Sequence, residues 1–318
     1  MDSDFTLDEL IKELIQEPVL AESIPEEPVL AEPIPEEPVL AEPIPEEPVL
    51  AEPIPGELDE LIKESKQESA QEPILSQDVL NKIEKVDKMF NEFFNKRTNK
   101  TDHETLANHI DGTLEPGGVS KPGTFYTHIN YHTMRTTLIE LVKQNKPFYT
   151  IVETGCSAHG TKSTLLWDKF INIVNGQVLS VDLSKINVAN ASKYISNKSK
   201  IICSDSLNYL PTLQCPIDFV YLDSYDVDFL KPKPSATHHL KEFNCIKHLL
   251  HPETLILIDD TPVSPEWLDN GKCSPIYNKL KPLFNPNMSG KGSLINIELA
   301  NMNAEKIMHQ YQILWKIK

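Results

Sequence analysis

From Phe148 onward the chain alternates short apolar or β-branched runs with stretches of helical spacing, and each of the first five runs ends in a carboxylate. The runs are FYTIVET (148–154), QVLSVDL (177–183), KIICSD (200–205), IDFVYLD (217–223) and TLILIDD (254–260). Between them, segments such as 161–174 and 236–250 read as helices. Runs that are apolar throughout suit strands covered on both faces, and strands separated by helices pair in parallel. The expected fold is therefore α/β, a doubly wound sheet. Two further runs, SLINIEL (293–299) and YQILWKI (311–317), are joined by only 11 residues. That is short for a parallel crossover with its helix, so the two are expected to pair antiparallel at the sheet edge. The architecture is five parallel strands plus a C-terminal antiparallel hairpin.

The N-terminal part follows other rules. A ten-residue unit, EPVLAEPIPE with Ser23 in its first copy, starts at Glu17, Glu27, Glu37 and Glu47, the last copy ending in Gly56. DELIKELIQEPVL from Asp8 is echoed by DELIKESKQESAQEPIL from Asp59. Each proline removes a backbone donor and restrains its predecessor, so no ordinary helix fits between them. Residues 1–77 read as a disordered acidic Pro-rich tail, with 17–56 an extended spacer. The competing reading is an array that docks a protein partner through its Val-Leu and Ile-Pro steps. Residues 78–97 return to helical spacing, with Val79, Ile83, Val86, Met89, Phe90 and Phe93 on one face. A polar loop punctuated by Gly and Pro runs to Gly123, and a second helix from about His128 to Gln144. These make 78–147 an N-terminal helical cap region ahead of a core at 148–318.

Charge is unevenly placed. Residues 1–80 hold 23 acidic and 3 basic side chains, against 24 and 27 in the remaining 238. The nearly neutral domain lacks the clustered cations that duplex nucleic acid requires. No stretch approaches the roughly 20 apolar residues of a membrane helix. The five cysteines are scattered without a CxxC, which argues against a zinc site or a disulfide framework. Reduced thiols and the acidic Met1-Asp2-Ser3-Asp4 start, without an apolar leader, give a cytoplasmic location as the expectation. Nothing in the pattern specifies an oligomeric state.

In doubly wound sheets the ligand sits beyond the carboxyl ends of the strands. The five runs put Glu153, Asp182, Asp205, Asp223 and the pair Asp259-Asp260 at that edge. The first turn reads ETGCSAHGTKST (153–164). A P-loop needs Lys directly after its second glycine, but Thr161 intervenes. A dinucleotide turn needs GxGxxG, and only Gly155 and Gly160 are present. A third pattern, an acid followed by spaced glycines, sets Glu153 against the cationic amino group of S-adenosylmethionine. A plain tight turn is the bland alternative. Asp182, 22 residues beyond Gly160, is placed to grip a ribose diol with two charge-assisted hydrogen bonds, as in NAD sites too. Asp205-Ser206 is placed to meet an adenine amino group, or to cap a helix.

ETGCSAHGTKST, VLSVDLS, YLDSYDVDF with KPSATHHLKEF, and LILIDDTP together resemble class I S-adenosylmethionine-dependent methyltransferases, whose fold is Rossmann-like. Within them the chain is similar to the small-molecule group that includes macrolide-sugar and catechol-type O-methyltransferases, over roughly residues 120–318. The resemblance implies a cofactor site at Glu153, Gly155, Ser157, Gly160, Thr161, Asp182, Asp205 and Ser206. It also implies Mg²⁺ on Asp223, Asp259 and Asp260, hard oxygen ligands that would let the ion dock and acidify an acceptor hydroxyl; the alternative is that Asp259-Asp260 only cap the next loop. Catechol-type enzymes carry a lysine three residues after the first metal aspartate, where this chain has Asp226. The proton-transfer candidates are then Asp226, His238 and His239, with Asp223 beside them. Tyr126, His128, Tyr131 and His132 precede the first strand, where substrate-covering elements lie in that family. The implied activity is Mg²⁺-assisted O-methylation of a sugar or small hydroxylated metabolite. A metal-free methyltransferase acting on nitrogen or on a protein side chain stays open. So do a catalytically inactive binding module whose tail recruits partners, and an NAD-linked dehydrogenase using Asp182.

Overall fold

The computed structural model describes residues 75–95, 106–110, 113–115, 125–156, 162–268, 274–285 and 289–318. The repeats, Ser157, Gly160 and Thr161 lie outside the described residues. Helix α1 (Gln77–Asn95) buries Val79, Val86, Phe90, Phe93 and Phe94, the face that the apolar spacing marks out. A small antiparallel sheet follows, in the order β2-β1-β3, from β1 (Leu106–Ile110), β2 (Thr113–Glu115) and β3 (Phe125–His128). The expectation of a plain loop up to Gly123 is corrected by it. Ile110 pairs with Thr113 across the two residues Asp111-Gly112, and an Asp-Gly step between strand-like runs is a strong hairpin signal. Helix α2 (Tyr131–Lys143) leads into the main sheet.

That sheet is built from β4 (Tyr149–Thr154), α3 (Ser163–Val174), β5 (Gly176–Asp182), α4 (Lys185–Ser192), β6 (Ser199–Cys203), α5 (Ser206–Tyr209), β7 (Ile217–Leu222), α6 (Lys233–Ile246) and β8 (Leu250–Ile258). Helices α7 (Ser274–Leu280) and α8 (Ser293–Asn301) follow, then β9 (Glu305–His309) and β10 (Ile313–Lys316). Strand order is β6-β5-β4-β7-β8-β10-β9. The first five pair in parallel, and β10 runs antiparallel to both β8 and β9. The Rossmann-like sheet with a C-terminal antiparallel pair is as expected. Its hairpin is not where it was placed, because SLINIEL lies in α8. A strand would bury Ile295, Ile297 and Leu299 together, whereas Ile297 is 50% exposed and Ile295 and Leu299, four residues apart, are buried.

Alternation along the strands divides the core in two. Ile151, Phe219, Tyr221, Leu255, Leu257 and Leu314 face Phe90, Phe94, Leu138, Trp167 and Phe170 of α1, α2 and α3. Val152, Val220, Leu222, Ile256, Ile258, Ile313 and Trp315 face Phe243, Ile246, Ile295 and Leu299 of α6 and α8. Period-two side chains on strands covered by helices on both faces produce this division. No described helix is long and apolar enough to cross a membrane.

Candidate active site

The chain winds outward from β4 to β5 and β6, then returns past β4 to β7. The reversal leaves a crevice at the carboxyl ends of the strands, where doubly wound sheets bind ligands. A cleft of about 640 Å³ lies there, and Gly155, Asp182, Asp205, Ser206, Asp223, Asp226 and His238 all line it. Seven residues singled out from the sequence are thus brought together. Gly155 has φ +82°, and a Cβ on it would stand 2.4 Å from the Asp223 carbonyl oxygen. Only glycine lets the β4 turn lie this close to the end of β7.

Asp182 ends β5 with Oδ1 accepting from the Ser184 N–H at 2.7 Å. Beside it Leu183 is 76% exposed, an apolar side chain standing on the cleft wall. Asp205 caps α5, its carboxylate accepting from the Leu207 N–H at 2.8 Å, so the helix-cap reading describes what it does within the fold. Cys156 is buried near Asp182, and burial followed by that carboxylate pushes its thiol pKa up, away from the reactive thiolate.

Glu153 does not line the cleft. Its carboxylate is fully buried and turned away from the cleft. Oε1 accepts from Ser163 Oγ at 2.6 Å and Trp167 Nε1 at 3.0 Å, and Oε2 from Thr164 Oγ1 at 2.5 Å and Ser180 Oγ at 2.7 Å. Burial raises its pKa and the four donors act against that rise. The cause is strand alternation: Glu153 shares a face with Ile151, towards α3.

His238 and His239 stand on α6 around a second buried acid. Glu242 accepts from Ser224 Oγ at 2.6 Å and Thr154 Oγ1 at 3.1 Å, with His238 Nε2 at 3.2 Å. Burial pushes its carboxyl up, but hydrogen bonds from His238, Ser206 and Ser224 and the nearby His239 outweigh this and hold it below the usual value. His239 does not reach the cleft. It is fully buried, with Nδ1 2.8 Å from the Ser235 carbonyl oxygen, and burial pulls its pKa down from 6.5 to about 4. Between those values the unfolded chain takes up a proton that the folded chain refuses. The stabilisation is therefore complete above pH 6.5 and lost as pH falls towards 4, by about 3 kcal/mol over the window. Urea unfolding across it should show that slope in the wild type and a flatter one in His239→Gln. Equal slopes would remove His239 as its source. Of the cap residues, Tyr131 packs against Phe90 and Phe94 and donates to Asn91, and His128 lies against Phe94. Tyr131 ties α1 to the start of α2, and His128 ties it to the residues just before.

Asp223, Asp259 and Asp260 converge as expected, offering oxygens within 4.8 Å of one another. The sequence reading missed what stands among them. Lys291 Nζ lies 2.5 Å from Asp223 Oδ1 and 2.9 Å from Asp260 Oδ2, and the residue is 1% exposed. Burial works against its charge, but Asp223, Asp260 and Asp259 more than reverse this and hold its pKa well above the ordinary value. Burial, then the neighbouring acids, raises Asp223 against the pull of Lys291, and raises Asp259 too; for Asp260, Lys291 and the Tyr311 hydroxyl outweigh burial and lower it. The donor types suit Mg²⁺. The oxygens do not fit the ion, because each already faces a donor. The signal in the sequence is Ser289-Gly290-Lys291-Gly292-Ser293, a lysine between glycines.

No family model matches the chain, and no curated protein matches it. Among solved structures it is similar to the SAH-bound methyltransferase of Podospora anserina, at 13% identity and TM-score 0.39, covering 85% of this chain and 99% of that one. It is similar to the N-methyltransferase NodS of Bradyrhizobium japonicum, at 11% identity and TM-score 0.36, covering 57% and 94%. The MycE methyltransferase of the mycinamycin biosynthetic pathway, in complex with Mg and SAH, is 15% identical at TM-score 0.41, covering 59% of this chain and 49% of that one.

Proposed function

We propose that the cleft binds S-adenosylmethionine and that the protein transfers its methyl group to an oxygen of a small hydroxylated acceptor such as a sugar. The observation that carries this reading is the place of Glu153. Dinucleotide folds seat a pyrophosphate on the N-terminus of the helix after the first strand. Here the hydroxyls of Ser163 and Thr164, the first two residues of α3, already hold a buried carboxylate. A phosphate would meet an anion there, whereas the sulfonium cofactor carries no phosphate and has a cationic amino group. Asp182 then accepts the two ribose hydroxyls, and Leu183 offers the adenine an apolar face. Ser157, Gly160 and Thr161 belong to the same turn in this proposal, and Ser206 to the adenine side.

The acceptor oxygen bonds to the methyl carbon as the carbon–sulfur bond breaks, leaving the thioether. Catalysis is then alignment plus removal of the acceptor's proton. Asp226 is exposed on the cleft rim, and its carboxylate takes that proton. His238 is less suited, since its Nε2 faces Ser206 Oγ at 3.3 Å and Glu242. Asp223 lines the cleft but is held by Lys291, and no divalent ion forms part of the proposal. Residues 148–318 act as the core, 78–147 as its cap and 1–77 as a spacer open to a protein partner. Labelled-methyl transfer from S-adenosylmethionine to a panel of sugars and phenols tests the reading. Asp226→Asn is expected to retain cofactor binding and lower kcat by about 100-fold to 10,000-fold. Unchanged turnover would remove Asp226 as the base, and transfer only to amines or proteins would move the acceptor out of the proposed class.

A further inference from the structure

We infer that Lys291 is a tethered cation in the place a divalent ion would take among Asp223, Asp259 and Asp260, so that the native protein holds no metal there. The inference stands on this cluster alone and is independent of what the cleft binds.

Three observations carry it. First, the ammonium contends for the oxygens a metal would need. Mg²⁺ sits about 2.1 Å from its oxygens and Ca²⁺ about 2.3–2.6 Å. An ion bridging Asp223 and Asp260 at such distances would fall where Nζ stands, 2.5 and 2.9 Å from the same two side chains. Second, every carboxylate oxygen of the trio has a donor atom within 3.3 Å. Lys291 serves Asp223 Oδ1 and Asp260 Oδ2, and Tyr311 donates to Asp260 Oδ1. Asn130 and Gln312 donate to Asp259 Oδ1. The Tyr221 hydroxyl lies 3.0 Å from Asp259 Oδ2 and 3.3 Å from Asp223 Oδ2, one proton shared between two acids.

Third, the backbone is shaped to deliver this lysine. Gly290 has φ +71°, and a Cβ on it would stand 1.8 Å from the Asp260 carbonyl oxygen. A Cβ on Gly292 would stand 2.9 Å from Thr261 Oγ1, to which the Gly292 N–H donates at 2.8 Å. The Lys291 N–H donates to the Asp260 carbonyl at 3.1 Å, and Ser289 Oγ to the Pro262 carbonyl at 2.9 Å. The loop is stitched along the segment that supplies two of the three acids. A lysine is almost never fully buried unless paired, and here the glycines on either side fix the approach that pairs it.

Mn²⁺ titration of the full chain, followed by the electron paramagnetic resonance of the free ion, tests the inference. The wild type should leave Mn²⁺ free into the millimolar range. Lys291→Met and Lys291→Gln, once shown to be folded by circular dichroism, should bind it at least tenfold more tightly, and adding Asp260→Asn should abolish that gain. Wild-type binding in the micromolar range that Asp260→Asn removes would overturn the inference. So would folded Lys291 variants that bind Mn²⁺ no better than wild type. If neither variant folds in buffer alone, folding restored by Mn²⁺ supports the inference and folding not restored overturns it. Cofactor titration run alongside is a separate readout, so a failure of the methyltransferase reading is distinguishable from a failure here.

Discussion

Replacing Glu153 by alanine is expected to destabilise the protein by about 3–5 kcal/mol, a fall in Tm of roughly 10 °C for a domain of this size. Four donors, from Ser163, Thr164, Trp167 and Ser180, converge on one buried carboxylate. Alanine leaves all four without an acceptor in a site that water does not reach. Glu153→Gln should cost less. Its amide oxygen can still accept from Ser163 and Trp167, and the hydroxyls of Thr164 and Ser180 can rotate to accept from its amide N–H groups. Denaturant unfolding, with near-ultraviolet circular dichroism reporting on Trp167, measures both variants. A Glu153→Ala protein within about 1 kcal/mol of wild type would contradict the brace described here. A Glu153→Gln protein of wild-type stability that had lost cofactor binding would return Glu153 to the cleft.

The largest effect on binding is expected at Asp182. Each hydrogen bond from a ribose hydroxyl to a carboxylate contributes about 1.5–3 kcal/mol, so Asp182→Ala should weaken S-adenosylmethionine about 100-fold or more. Asp182→Asn retains an oxygen for the Ser184 N–H and should fall between the two. The intermediate variant matters because Asp182 also shapes the start of α4. A loss in Ala that Asn fully restored would point to that backbone contact and away from the ribose. Calorimetry on proteins of matched far-ultraviolet spectra separates the cases.

The strand ends were legible because a short apolar run closing on an acid states both where a strand stops and which residue meets the cleft. Asp182, Asp205 and Asp223 all arrived at one crevice on that logic. Glu153 shows where the logic needs a second step. Its position at the end of β4 was right, but alternation with Ile151 turns its side chain under α3, and the partners that hold it come from α3 and from Ser180 on β5. The helix at 293–301 escaped for a related reason. LINIEL satisfies a period of two as well as one of four, and only packing on α6 decides between them. Lys291 was the least legible of all. It lies 68 residues from Asp223, in a loop whose glycines announce a close backbone approach without naming what is approached. The small antiparallel sheet was announced by Asp111-Gly112, a two-residue signal that the surrounding Gly and Pro obscured.

Calorimetric titration of S-adenosylmethionine and of NAD into the wild-type chain shows whether the cleft takes a sulfonium cofactor in preference to a phosphate-bearing one. Micromolar binding of S-adenosylmethionine and none of NAD is expected, because the Glu153 carboxylate lies buried against the first two residues of α3, where a pyrophosphate would approach an anion. Binding of NAD without S-adenosylmethionine would contradict it.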